Sequence, residues 1–108
     1  MRDNIGNFEF MILLALMRLG DNAYGVPITK EVEERSGREV SVASVYAALD
    51  RLSAKGLVIS ELGDPTPERG GRAKRFFRIT AKGNREVRDT RRVLMNFWEG
   101  LPGLKGTR

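Results

Sequence analysis

The side chains best able to do chemistry in this sequence are its cations and its hydroxyls. The 108 residues contain no cysteine and no histidine. Disulfides, zinc sites built on thiolate or imidazole, and Ser–His or Cys–His nucleophilic catalysis are therefore excluded. The carboxylates Glu31, Glu33, Glu34, Glu39, Asp50, Glu61, Asp64 and Glu68 fall on faces or loops expected to be wet, and they form no catalytic motif. The run from Gly100 to Thr107 has the glycines, lysine and threonine of a phosphate loop. It lacks that loop's spacing and its strand-to-helix setting. No catalytic residue, metal or cofactor is expected, and the chain does not read as an enzyme.

Positive charge is the chemistry that remains. Nineteen Lys and Arg face fourteen Asp and Glu, a net +5. Such a balance favours polyanionic partners. Where the cations sit matters more than their number. Arg69, Arg72, Lys74 and Arg75 cluster around the glycine pair Gly70–Gly71. Glycines remove bulk and permit bends, so this loop can lie along a sugar-phosphate rail while its cations displace counterions. Asp64 and Glu68 precede the cluster and are expected at its base or turned away.

A second group shares one helix face. Ala43, Ser44, Ala47, Arg51 and Ala54, with Tyr46 and Asp50 on the flank, form a side that is small and polar for three turns, with one arginine. An ordinary solvated face would be rich in Glu and Lys. Small side chains let a helix approach another surface closely. Ser41, Ser44 and Arg51 can hydrogen-bond there, and Ala43 and Ala47 can meet a thymine methyl.

The elements that must carry these groups are legible from periodicity. A first helix is expected over about Asn7 to Leu19, capped by Asn7 and ended by Gly20, with Phe8, Met11, Ile12, Ala15, Leu16 and Leu19 inward and Phe10 and Leu14 widening the face. A second begins after Ala23-Tyr24-Gly25, carries Pro27 in its first turn, buries Ile28 and Val32, and stops at Gly37. A third runs from the cap Ser41 to Gly56, with Val42, Val45, Ala48, Leu49 and Leu52 on one stripe. Leu57–Leu62 and Phe76–Ile79 read as paired strands, with Phe77 and Ile79 on one face. Thr80 caps a last helix over about Ala81 to Glu99, which Pro102 and Gly103 stop.

Three helices followed by a two-stranded basic hairpin is the order of a winged helix-turn-helix. The fold expected is mainly α with a small two-stranded β-wing, plus a C-terminal dimerisation helix. Residues 1–80 would form the DNA-binding domain, 81–101 the dimerisation helix, and 102–108 a flexible tail. The third helix would enter the major groove of double-stranded DNA, with the wing on the backbone or minor groove. The rival reading is a winged-helix protein-interaction module without DNA binding. Such modules often lose the basic wing, which is kept here. RNA is disfavoured because no exposed strand carries an aromatic stacking platform. In the last helix Val87, Thr90, Leu94, Phe97 and Leu101 alternate three- and four-residue steps, a seam of the coiled-coil type.

The sequence resembles the PadR family of bacterial transcriptional regulators. The matching stretches are Tyr24–Ile28, Ser41–Leu57 and Gly70–Gly83. The resemblance implies a homodimer on a palindromic operator, often as a repressor. It adds Tyr46 and the basic wing to the DNA contacts. The expected DNA-binding set is thus Ser41, Ala43, Ser44, Tyr46, Ala47, Arg51, Arg69, Gly70, Arg72, Lys74 and Arg75. The single C-terminal helix resembles the short subgroup, which dimerises through this helix and the first one. The expected interface is Phe8, Val87, Thr90, Leu94, Phe97, Trp98 and Leu101. In some short members, aromatic residues of the last helix line a pore that stacks flat drugs, so Trp98 is a candidate for binding a small aromatic effector. Ala47 stands where the family often has proline, and Phe76–Phe77 replaces a commoner tyrosine pair. No apolar run is long enough for a membrane span and no secretory pattern opens the chain, so the cytoplasm is expected.

Overall fold

The computed structural model describes residues 5–63 and 73–103. Helix α1, Asn7–Leu19, buries Ile12, Leu13, Ala15 and Leu16. It is apolar around much of its circumference, and it lies at the centre of the fold. Asn7 is its first residue rather than its cap. The chain enters from Gly6, in an extended conformation, whose carbonyl accepts the first helical bond from Phe10 N–H at 2.9 Å. Gly20 ends the helix at φ 59°, a left-handed value that favours glycine. A single 3-10 turn, Gly20–Asn22, leads on.

Helix α2, Gly25–Ser36, carries Pro27 in its first turn and buries Ile28 and Val32. Gly37 closes it at φ 72°. Helix α3, Val42–Ala54, is capped by Ser41, whose side chain accepts the N–H of Ser44. Val45, Ala48, Leu49 and Leu52 form its core stripe. Val42, expected on that stripe, is 44% exposed; as the first helical residue it lies beyond the packed turns.

Strands β1, Val58–Leu62, and β2, Arg75–Ile79, pair antiparallel from Val58↔Ile79 to Leu62↔Arg75. Val58 and Phe77 are their buried residues. The ribbon is tied to the helices by a bridge between Tyr24 and Phe76 and by Phe77 N–H donating to the Ala23 carbonyl at 2.8 Å. The two-strand reading misses this third segment, because the two residues Ala23 and Tyr24 between the 3-10 turn and α2 carry no period.

Helix α4, Ala81–Trp98, begins at Thr80, whose side chain accepts the N–H of Gly83. The Thr80 hydroxyl also donates to the Gly56 carbonyl at 2.8 Å, and its N–H to that of Leu57 at 2.9 Å. Gly83 and Val87 are the buried residues of α4, and every residue from Arg91 to Trp98 is exposed. Val87, expected in the seam between two copies, instead lies 5% exposed in the protein's own core. It sits in the part of α4 that still lies over the domain. The fold is a mainly helical winged helix with an antiparallel two-stranded sheet and a projecting C-terminal helix. None of its helices, among the described residues, is long and apolar enough to cross a membrane.

Candidate nucleic-acid interface

The outer side of α3 is as bare as its composition suggests. Ser41, Ala43, Ser44, Ala47, Asp50, Arg51 and Ala54 are all exposed. The Ser41 hydroxyl donates to Ser44 Oγ at 2.8 Å while accepting the Ser44 N–H at 3.0 Å. These hydroxyls therefore fix the start of the helix as well as lining its outer face. Thirteen residues make α3 roughly 20 Å long, enough to lie in a major groove.

Tyr46 flanks this face at 37% exposure. Its ring stands 6.0 Å from that of Phe77 at 59°, and its hydroxyl lies against Gly25. Tyr46 thus wedges between α2, α3 and β2, and only part of it faces outward. Phe77 is buried, so the position of the missing tyrosine hydroxyl is a packing position here.

Arg51 and Lys55 point to α1. Arg51 Nε donates to Glu9 Oε2 at 2.7 Å and Lys55 Nζ to Oε1 at 2.9 Å. Glu9 is 6% exposed. Burial alone pushes its carboxyl up, but the two hydrogen bonds and the two nearby charges outweigh that and hold it below the usual glutamate range. Glu9 was missed in the sequence. Its signal was a carboxylate set between Phe8 and Phe10, on a helix with almost no polar face.

At the wing, Lys74 Nζ sits 4.4 Å from the centre of the Tyr24 ring, a cation–π distance. Phe76 meets the same ring edge-on at 5.4 Å. Gly63 N–H donates to the Lys74 carbonyl at 2.7 Å, and the Phe76 ring fills the space where a side chain on Gly63 would go. Arg75 is exposed and donates to Ser60 Oγ at 3.1 Å. Arg78 and Glu61 approach to 3.9 Å across the ribbon. Arg69, Gly70 and Arg72, with Asp64 and Glu68, lie outside the described residues. Tyr24 and Gly25 therefore join the flank of α3 to the base of the wing: Tyr46 rests on Gly25, and Lys74 and Phe76 on Tyr24.

Two apolar features lie apart from this face. Val93, Leu94, Phe97, Trp98 and Leu101 are exposed along the end of α4 and just past it, Phe97 at 75%. A 410 Å³ groove runs between α1 and α2, lined by Met11, Leu14, Met17 and Val32 and edged by Arg18, Glu31 and Arg35. Phe8 is half-buried against the core, and Thr90 is half-buried on α4. Among the described residues no cluster of three or more acidic side chains could hold a metal ion.

The family model described as the transcriptional regulator PadR-like family matches residues 13–89. Transcriptional regulator Rv3488 of Mycobacterium tuberculosis is 37% identical over 80 residues, 73% of this chain and 70% of that protein. Among solved structures, that of a complex of hsRosR-S4 superposes with a TM-score of 0.73 at 28% identity, over 91% of this chain and 77% of the other. A PadR-like transcription factor from Bacteroides fragilis shares the fold with a TM-score of 0.73 at 22% identity, over 85% and 84% of the two chains.

Proposed function

The chain belongs to the PadR-like family of transcriptional regulators, and we propose that it acts as a cytoplasmic, dimeric repressor binding a palindromic operator in double-stranded DNA. The observation that carries this reading is the small-residue, uncrowded outer face of α3 standing beside the base of a basic wing. In a major groove, Ser41 and Ser44 offer hydrogen bonds to base edges or phosphates, and Ala43 and Ala47 allow close approach to thymine methyls. Tyr46 edges the contact and Arg51 stands at the far end of the helix. Lys74 and Arg75, continuing toward Arg69, Gly70 and Arg72, would neutralise phosphates.

Residues 1–80 form the DNA-binding unit in this proposal, and 81–101 the pairing helix. Residues 102–108 would be a flexible tail, of which 104–108 lie outside the described residues. The exposed stripe of Leu94, Phe97, Trp98 and Leu101 is more apolar surface than a lone helix leaves to water. Pairing with a second copy through that stripe, with Thr90 and Phe8 at its margin, would cover it and set two recognition helices on one duplex. Trp98, 55% exposed in a single copy, would then border the space between subunits, where a flat aromatic effector could stack.

Selection of bound duplexes from a random pool with the purified protein tests the reading. An enriched inverted repeat, with half-sites about one helical turn apart, is expected. Recovery of sequences no different from the starting pool defeats it.

A further inference from the structure

Glu9 has no part in the contacts proposed above, yet it is the one nearly buried carboxylate among the described residues. Each of its oxygens takes a cation, Arg51 of α3 on one and Lys55, just past the end of α3, on the other. Arg51 is otherwise open, with 53% of its side chain exposed. Its exposure leaves it within reach of solvent, while its hydrogen bond ties it to α1.

Resting on the reading of α3 as the recognition helix, we propose that Glu9 is a specificity-determining residue, which holds Arg51 against α1 and so keeps it from sequence-blind attraction to phosphate. Taking Arg51 away would break one half of a hydrogen-bonded pair and leave a desolvated carboxylate undercompensated, which is strongly unfavourable. An exposed phosphate, screened by salt, repays little of that. Within the same molecule Arg18 and Arg35 share Glu31, whose side chain is 19% exposed against 8% for Glu9, so less desolvation ties that cluster together. With Arg51 restrained, the exposed residues of the cap and first two turns of α3 are Ser41, Val42, Ala43, Ser44, Tyr46 and Ala47. All are neutral, and they discriminate by fit and hydrogen bonding. Sequence-independent affinity is left to the wing.

The test compares the salt dependence of duplex binding for the wild-type dimer, Glu9→Gln, and Glu9→Gln with Arg51→Ala, each on a selected operator and on a scrambled duplex. Freeing one phosphate ligand per subunit should steepen the slope of log K against log salt by about 0.9 per subunit. Glu9→Gln should show that gain on both duplexes, bind the scrambled one severalfold more tightly, and lose operator preference. Adding Arg51→Ala should cancel the gain. Should Glu9→Gln not fold, the Arg51 Nε–H resonance of the wild-type protein, assigned with Arg51→Lys, still decides. It should keep its position when scrambled duplex is added, and a large shift overturns the inference. An unchanged slope in folded Glu9→Gln, while the wild type binds DNA in a salt-dependent way, overturns the restraint alone. A wild type that binds no duplex overturns the DNA reading and this inference with it.

Discussion

A methyl group on Gly25 would collide with the hydroxyl of Tyr46 and lie 2.9 Å from Cζ of the same ring. The start of α2 and the flank of α3 therefore meet with no space for even one carbon. Gly25→Ala should force the tyrosine ring to move and cost about 1–3 kcal/mol, as overpacking does. Urea denaturation measures it. Tyr46→Phe removes the nearest atom and should recover part of the loss in the double variant. If the two costs simply add, the collision is not what Gly25 is there to avoid.

Gly83 faces a harder obstacle. A Cβ there would collide with the Leu57 carbonyl and lie 2.6 Å from Cγ1 of Ile79. The carbonyl belongs to backbone held by the Thr80 N–H, so it cannot swing aside as a side chain can. Gly83→Ala should destabilise more than Gly25→Ala, and trimming Ile79 to alanine, which removes Cγ1, should not restore it. In a domain of this size each kcal/mol lost lowers the melting midpoint by about 4–8 °C. A Gly83→Ala protein melting within a degree or two of wild type contradicts the close approach of α4 to the Leu57 carbonyl.

The lowered Glu9 pKa ties stability to pH. A carboxyl whose folded value lies below its unfolded value stabilises the fold above the ordinary glutamate value of 4.5, and that stability fades as pH falls through the folded value. Urea stability of wild type and Glu9→Gln, followed from pH 7 to pH 3, should therefore differ most near neutrality and converge in acid. Glu31 is also held low, first by the hydrogen bond from Arg35, against some desolvation, then by that from Arg18. Its side chain is more exposed than that of Glu9, 19% against 8%, so Glu31→Gln should show a smaller gap. A Glu9→Gln gap that stays constant from pH 7 to pH 3 would mean that Glu9 stabilises through packing, not charge.

Much of this architecture is written in local signals. Ser41, Thr80, Gly20 and Gly37 mark helix ends because capping and left-handed turns depend on the residue alone. The stripe Val45–Ala48–Leu49–Leu52 repeats a helical period, so α3 and its bare side follow from it. What stayed hidden depends on partners distant in the chain. Glu9 meets Arg51 across 42 positions, and nothing beside Glu9 announces an arginine. Tyr24 bridges to Phe76 from a segment too short to show a strand pattern. Val87 fits the three- and four-residue steps of the pairing seam, yet core and seam share that period. Only the point where α4 leaves the domain separates them.

That point of departure sets the expectation for assembly. Phe97 is 75% exposed in a single copy and Leu94 55%, so charging them should not disturb the protein's own core. Phe97→Asp with Leu94→Asp should sediment as a monomer with unchanged helical circular dichroism. Trp98 emission should move to longer wavelength as its surroundings become wet. Planar cationic dyes should quench Trp98 in the wild-type dimer and not in this variant. A dimer that survives both charges places the contact elsewhere, most directly on the groove between α1 and α2.

Lys74 occupies two roles that can be separated. Its ammonium rests on Tyr24, which also carries Phe76, so it braces the wing as well as adding charge. Arg75 only touches Ser60 at the surface. Lys74→Ala with Arg75→Ala should weaken binding to every duplex and flatten the salt slope by up to about 1.8 per subunit, if each meets one phosphate. Tyr24→Leu keeps both cations and removes the ring beneath Lys74 and Phe76. It should lower operator affinity while leaving the slope intact, because the charges remain and only their placement suffers. A slope unmoved by the double alanine variant means that these two cations meet no phosphate, and a slope flattened by Tyr24→Leu means that the ring itself is needed to bring Lys74 to one.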